Sequence, residues 1–321
     1  MKESSLFIIV WFFVLLISFI YVQGAEQTMN AYPNLEKEKQ IILEKDREIS
    51  KAAAEKGILK SFYPLMTETS ILLPENGHPV VGKETCAKLM GGLDLKGPGN
   101  RIKWEPLLAG ISAAGDLAYS HGRFELPPAA GADAKEGIRY GYYGTIWKKE
   151  TDGNWKVAFS QGLLLLKDLK QKPLEKQYDP DKVDPITGEV LATERAFSDY
   201  SVTNGRLPAF YRYIDDNGMA LGSGGAPKKK VDFAAGIADA EKKKQAGDPG
   251  PGESKLEWQA LYSHVAASGD LAYNFGSYLY SATDANGRSS MGRGYFMTVW
   301  KKQTTGNKDW KFVLDCGNEV D

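Results

Sequence analysis

Gly115-Asp116-Leu117-Ala118-Tyr119 returns at Gly269-Asp270-Leu271-Ala272-Tyr273, and Thr145-Ile146-Trp147-Lys148-Lys149 returns as Thr298-Val299-Trp300-Lys301-Lys302. Two homologous stretches in one polypeptide mean one fold built twice. The correspondence runs outward from both. Arg47, Gly57, Phe62 and Tyr63 sit 148 positions before Arg195, Gly205, Phe210 and Tyr211, while Trp104, Leu107 and Gly122 sit 154 before Trp258, Leu261 and Gly276. Towards the end, Trp155-Lys156-Val157 matches Trp310-Lys311-Phe312, and Gly162 matches Gly317. The offset grows between the blocks, so the second unit carries a longer loop there. Ala240 to Lys255, with Lys242, Lys243, Lys244, Pro249, Pro251 and three glycines, cannot pack a core and reads as that loop.

Ahead of the repeats, Lys2 precedes an almost unbroken apolar run from Leu6 to Val22, followed by Gly24 and Ala25. This is the layout of a secretory signal cut near Gly24, with an uncleaved membrane anchor as the alternative. Either way the repeats belong outside the cytoplasm, in a periplasmic or secreted protein that needs no membrane once the signal is removed. The expected division is a signal peptide over 1–24, a first domain over 26–168, a linker over 169–188 and a second domain over 189–321. Each domain is long enough to bury a core of its own.

A net charge of −1 supplies no basic field for nucleic acid, and Lys228-Lys229-Lys230 lies in turn-rich sequence that reads as a solvated loop. Cys86 and Cys316 occupy non-equivalent positions, which excludes a repeated disulfide framework. Two free thiols are expected, a single bridge between the units being the alternative. No Cys-x-x-Cys, His-x-x-x-His or acidic calcium loop occurs, so neither a metal nor a cofactor is expected.

Each unit opens with helix and turns to strand. Between Lys37 and Lys60, Ile41, Ile42, Ile49, Ala52, Ala53 and Leu59 recur at roughly helical spacing, as do Ala196, Phe197, Tyr200 and Val202 before Gly205. Gly57 and Gly205 read as helix stops. The period then becomes two. Leu117, Tyr119, His121, Arg123 and Glu125 share one face of a strand, and Ala118, Ser120, Gly122, Phe124 and Leu126 the other. Gly115-Asp116 and Gly269-Asp270 stand between two such runs, where glycine and aspartate make hairpin turns. Further strands are expected around Tyr140–Lys149, Asn154–Leu165, Gly294–Lys302 and Trp310–Gly317. The fold class is α+β: two tandem units, each with N-terminal helices packed on a strongly curved antiparallel sheet.

In that order, helix, glycine stop, Phe-Tyr, a strand opening with Trp, Gly-Asp-Leu-Ala-Tyr-x-x-Gly, Gly-Tyr-x-x-Thr-x-Trp-Lys-Lys and Trp-Lys-x-x-x-x-x-Gly resemble the nuclear transport factor two-like superfamily. Within it, the nearest likeness is to SnoaL-like domains of unknown function found in secreted bacterial proteins. The second unit fits better: the first has Ser160 and Leu163 where Asp315 and Asn318 stand. The resemblance implies cone-shaped units, each enclosing a pocket, and a pairing of the two sheets as an intramolecular pseudo-dimer.

That superfamily hosts isomerases, cyclases, dehydratases and binding modules without catalysis, so function must come from residues. A ketosteroid-isomerase site needs a carboxylate base and a second acid held neutral. The shared acids Asp116 and Asp270 sit in turns, where turn formation already explains them. No histidine is repeated: Phe275 stands opposite His121, Gly110 opposite His264, and His78 lies in a turn. Catalysis, if present, is confined to one unit, with Asp315 and His121 as candidates. The repeated aromatic residues suit either a packed core or a cavity for an apolar or ring-shaped ligand. The ligand-binding candidates are Trp104, Tyr119, His121, Tyr142, Trp258, Tyr273, Tyr295 and Asp315. The expected function is small-molecule binding, against which stand a lyase or isomerase of a carbonyl compound and a protein-interaction scaffold.

Overall fold

The computed structural model describes residues 35–75, 77–94, 102–128, 138–165, 184–222, 226–246, 254–283 and 288–320. The expected signal peptide and most of the expected linker lie outside the described residues. In the first unit, α1 (Leu35–Lys56), α2 (Ile58–Phe62), β1 (Met66–Glu75), β2 (Val80–Val81) and α3 (Lys83–Asp94) precede the meander β3 (Lys103–Ile111), β4 (Leu117–Leu126), β5 (Arg139–Lys149) and β6 (Trp155–Leu165). In the second, α4 (Pro185–Asn204), α5 (Arg206–Tyr213), β7 (Ile214–Leu221) and α6 (Lys230–Gln245) precede β8 (Ser254–Val265), β9 (Leu271–Thr283), β10 (Ser289–Lys302) and β11 (Trp310–Val320).

Local chemistry accounts for the boundaries. Asp184 caps α4, its side chain accepting from the backbone N–H of Ile186 and Thr187 before Pro185 fixes the first turn. The opening turn of α4 thus falls in the stretch assigned to the linker. Gly57 (φ 95°) and Gly205 (φ 87°) end one helix but start the next immediately, so each is a corner rather than a stop. Ala240 to Gln245, expected as loop, is the end of α6. Lys242, Lys243 and Lys244 sit in its last turn, where cations favour the negative end of the helix dipole.

The two sheets run β2-β1-β6-β5-β4-β3 and β7-β11-β10-β9-β8. Each meander is antiparallel as expected, but β1 joins β6 and β7 joins β11 in parallel, so both sheets are mixed. The helices between the units' first strands and their meanders carry the chain round, and the first strand therefore lies alongside the last. The Gly-Asp turns are hairpins with Gly115 at φ 69° and Gly269 at φ 66°. Curvature comes from a repeated bulge: register slips between Pro106 and Leu108 opposite Gly122, and between Ala260 and Tyr262 opposite Gly276. A Cβ at either glycine would stand 2.1 Å from a carbonyl oxygen of the neighbouring strand.

Strand alternation sorts the core into three. On the helix side of the first sheet lie Ile42, Ile49, Phe62, Met90, Trp104, Phe124, Trp147 and Trp155. Phe197, Phe233, Trp300, Trp310 and Phe312 fill the same side of the second. The opposite faces of both sheets share a third cluster: Ile71, Leu117, Ile146 and Phe159 pack with Leu271, Tyr273, Phe275, Tyr295, Met297 and Leu314. The rings of Phe159 and Phe275 are 5.7 Å apart. The two units thus form an intramolecular pseudo-dimer. Its rim is closed by a reciprocal pair, in which the N–H of Ala267 donates to Asp116 at 2.8 Å and that of Ala113 to Asp270 at 3.0 Å. Both cysteines are buried and free.

Candidate functional site

On the inner face of α1, one helical turn beyond Ile42, stands Asp46, almost fully buried. Its Oδ1 accepts from Trp104 Nε1 at 2.7 Å, and its Oδ2 from Ser120 Oγ at 2.7 Å and Tyr143 OH at 2.9 Å. Trp147 Nε1 donates in turn to Ser120 Oγ at 2.9 Å. Glu194, 148 positions on, repeats the arrangement. It accepts from Trp258 Nε1 at 2.7 Å, Trp300 Nε1 at 2.7 Å and Asn274 Nδ2 at 2.9 Å. The longer glutamate matches the exchange of Ser120 and Tyr143 for Asn274 and Phe296, so that Trp300 reaches the acid directly. Burial raises both carboxyl pKa values, and the neutral donors around them only partly oppose it. These acids tie the first helix of each unit to its sheet.

In the second unit, a cavity of about 470 Å³ opens beside this network. Phe210, Phe233, Trp258, Tyr278 and Phe296 form its apolar wall, and the half-buried Asp315 is the acid that faces it. Asp315 Oδ2 accepts a hydrogen bond from Thr298 Oγ1 at 2.9 Å. Burial lifts its pKa to about 7, Thr298 pulling against that and the nearby Glu194 adding to it. Around the mouth stand the exposed Arg206, Lys228, Tyr280 and Glu319.

The first unit replaces this chemistry with packing. Ser160 stands where Asp315 does and shares a 3.1 Å hydrogen bond with Thr145, both buried. Its α3 drives Cys86, Leu89 and Met90 into the core, whereas α6 buries Phe233 alone. A helix seated on one ring leaves open the space that its counterpart fills.

The structure divides the candidate residues named from sequence. Trp258 and Asp315 share the cavity. Trp104 is its counterpart in the first core, buried against Phe62 and Tyr143. Tyr119, Tyr273 and Tyr295 do not join them, because the two-residue strand period turns them onto the face between the units. Tyr295 OH meets His78 Nδ1 there at 3.2 Å. His121 is buried on that same strand face, its Nδ1 2.9 Å from Tyr143 O and its ring stacked on Tyr142. Burial lowers its pKa. Tyr142 lines a separate hollow of about 540 Å³ beside Cys316 and Asn318. A larger groove of about 1010 Å³ runs along α4 and β8 past Arg195, Glu257 and Tyr295, with Asp315 outside it. The indole N–H groups of Trp104, Trp147, Trp258 and Trp300 are committed to Asp46, Ser120 and Glu194. In sequence, Asp46 and Glu194 look like the other charged residues of their helices, and only their spacing, equal to the repeat offset, sets them apart.

Among the described residues no cluster of His, Cys, Asp and Glu could hold a metal ion, and no helix is long and apolar enough to cross a membrane. Each unit packs helices on a mixed sheet, the α+β class expected from the sequence. No family model matches the chain, and no curated protein does. Solved structures similar to it include a ketosteroid isomerase-like protein from Erwinia carotovora atroseptica, 14% identical, covering 43% of this chain and 99% of its own with a TM-score of 0.34. A nuclear transport factor two-like protein from Salmonella enterica is 15% identical over 42% of this chain and 92% of its own, with a TM-score of 0.31. The hexachlorocyclohexane dehydrochlorinase LinA-type3 from Novosphingobium barchaimii is 10% identical over 41% and 86%, with a TM-score of 0.31.

Proposed function

We propose that the chain is an extracytoplasmic binding protein whose second unit takes a small apolar or ring-shaped molecule between Phe210, Phe233, Trp258 and Phe296. The observation that carries this reading is the single half-buried acid, Asp315, on the wall of an aromatic cavity of ligand size. With its pKa near 7, Asp315 changes from donor to acceptor around neutrality and can meet a carbonyl or a hydroxyl. The first unit, with its core filled and Ser160 in place of the acid, serves as the partner that covers the second sheet. The apolar sheet faces around Phe159 and Phe275 pack against each other between the units, which leaves less of them for a scaffold.

The test is native mass spectrometry of the protein purified from its own compartment, then thermal shifts against hydrophobic ring and carbonyl compounds. A stabilising compound that no longer acts on Trp258→Ala supports binding. A protein that arrives empty and is stabilised by none of them overturns the reading. A second reading, a lyase or isomerase of a carbonyl compound, is favoured by the pKa of Asp315, which suits a general base. It requires turnover that Asp315→Asn abolishes while binding persists.

A further inference from the structure

The mouth of the cavity is chemically unlike its interior. Arg206 opens α5 straight after the Gly205 corner, and Lys228 is fixed by two 2.8 Å backbone hydrogen bonds to Ala220 of β7. Both side chains are exposed, and among the described residues neither forms an ion pair. By contrast, the neighbouring Lys230 is occupied by Asp216 at 2.7 Å. Glu319, the rim's acid, is turned along the β10 arm: a Cβ at Gly292 would meet its Oε1 at 2.7 Å. Two cations on fixed backbone therefore flank the entrance to an apolar interior, and the one acid of the rim points along the sheet.

We infer that the ligand of the second unit is an anionic amphiphile, an apolar body carrying a carboxylate at one end, with the body among Phe210, Phe233, Trp258 and Phe296 and the carboxylate between Arg206 and Lys228. The inference rests on the binding function proposed above and narrows it. A guanidinium and an ammonium in water add only modest attraction each, and salt screens it. The apolar body therefore supplies most of the affinity and the rim supplies the choice of head group.

The experiment compares phenylhexanoate, phenylhexanol and phenylhexylamine, which share one body, by calorimetric titration of the full chain at pH 6. The acid is expected to bind about fivefold more tightly than the alcohol. That preference is expected to vanish in Arg206→Gln/Lys228→Gln and to shrink at high salt, but to persist in Lys244→Gln at the far end of α6. An alcohol or amine that binds as tightly as the acid overturns the inference while leaving the pocket reading intact. If none of the three binds, both fall.

Discussion

Asp315 lines the cavity of the second unit, and its environment makes a measurable prediction. A carboxyl whose pKa rises from 3.8 to about 7 on folding binds more protons in the folded chain than in the unfolded one between those values. Stability contributed by this group is therefore present at acid pH and lost as pH rises towards 7. Asp315→Asn is expected to be more stable than the native protein at pH 8, on the order of 1–3 kcal/mol, and no more stable near pH 4. Urea unfolding across that range measures it, and equal slopes for the two proteins would show that the acid is solvated. His264 pulls the other way. Its pKa, held at about 4 by burial and by Lys148, costs stability as pH falls below 6.5. Asp46 and Glu194 differ: their indole, hydroxyl and amide donors join helix to sheet, while Asp315, with Thr298 as its side-chain partner among the described residues, has capacity left for a ligand.

At the scale of elements, the repeated bulges and their glycines shape both sheets. Gly276→Ala puts a methyl 2.1 Å from Gln259 O and against the Phe296 ring, so backbone has to move. A loss of about 2–4 kcal/mol is expected, read as a lowered Tm, and Gly92→Ala, in open space on α3, is expected to cost far less. The strands also show how far sequence alone could lead. The two faces of β4 were legible from its period of two, and the Gly-Asp hairpins from their residues. Which face looks into the cone was not, because Tyr119 and His121 resemble pocket residues as much as Ser120 and Phe124 do. The decision lies in contacts with α1, whose acid reaches Ser120 across 74 positions of sequence. The parallel joining of β1 to β6 and of β7 to β11 is not legible in sequence for the same reason, since it depends on where the helices return the chain.

At the scale of the whole molecule, the units share a core that neither can complete alone. A chain reduced to 184–321 would expose Tyr273, Phe275, Tyr295, Met297 and Leu314 together. It is expected to self-associate through that face, which sedimentation would detect; a stable monomer would show the shared cluster to be dispensable. The units are further locked by asymmetry. Asn318 donates through Nδ2 to Pro74 O at 2.7 Å and Gly77 O at 2.8 Å, whereas the sequence has leucine, which cannot donate, at the matching position 163.

The reciprocal bonds of Asp116 and Asp270 have the form of a twofold dimer interface, yet both ends belong to one chain. In a dimer of separate subunits such contacts exist only above a threshold concentration, and dilution undoes them. Here covalent continuity keeps the partner at a fixed, high effective concentration, so the pairing survives at any protein concentration. The second sheet is covered even when a single molecule drifts alone.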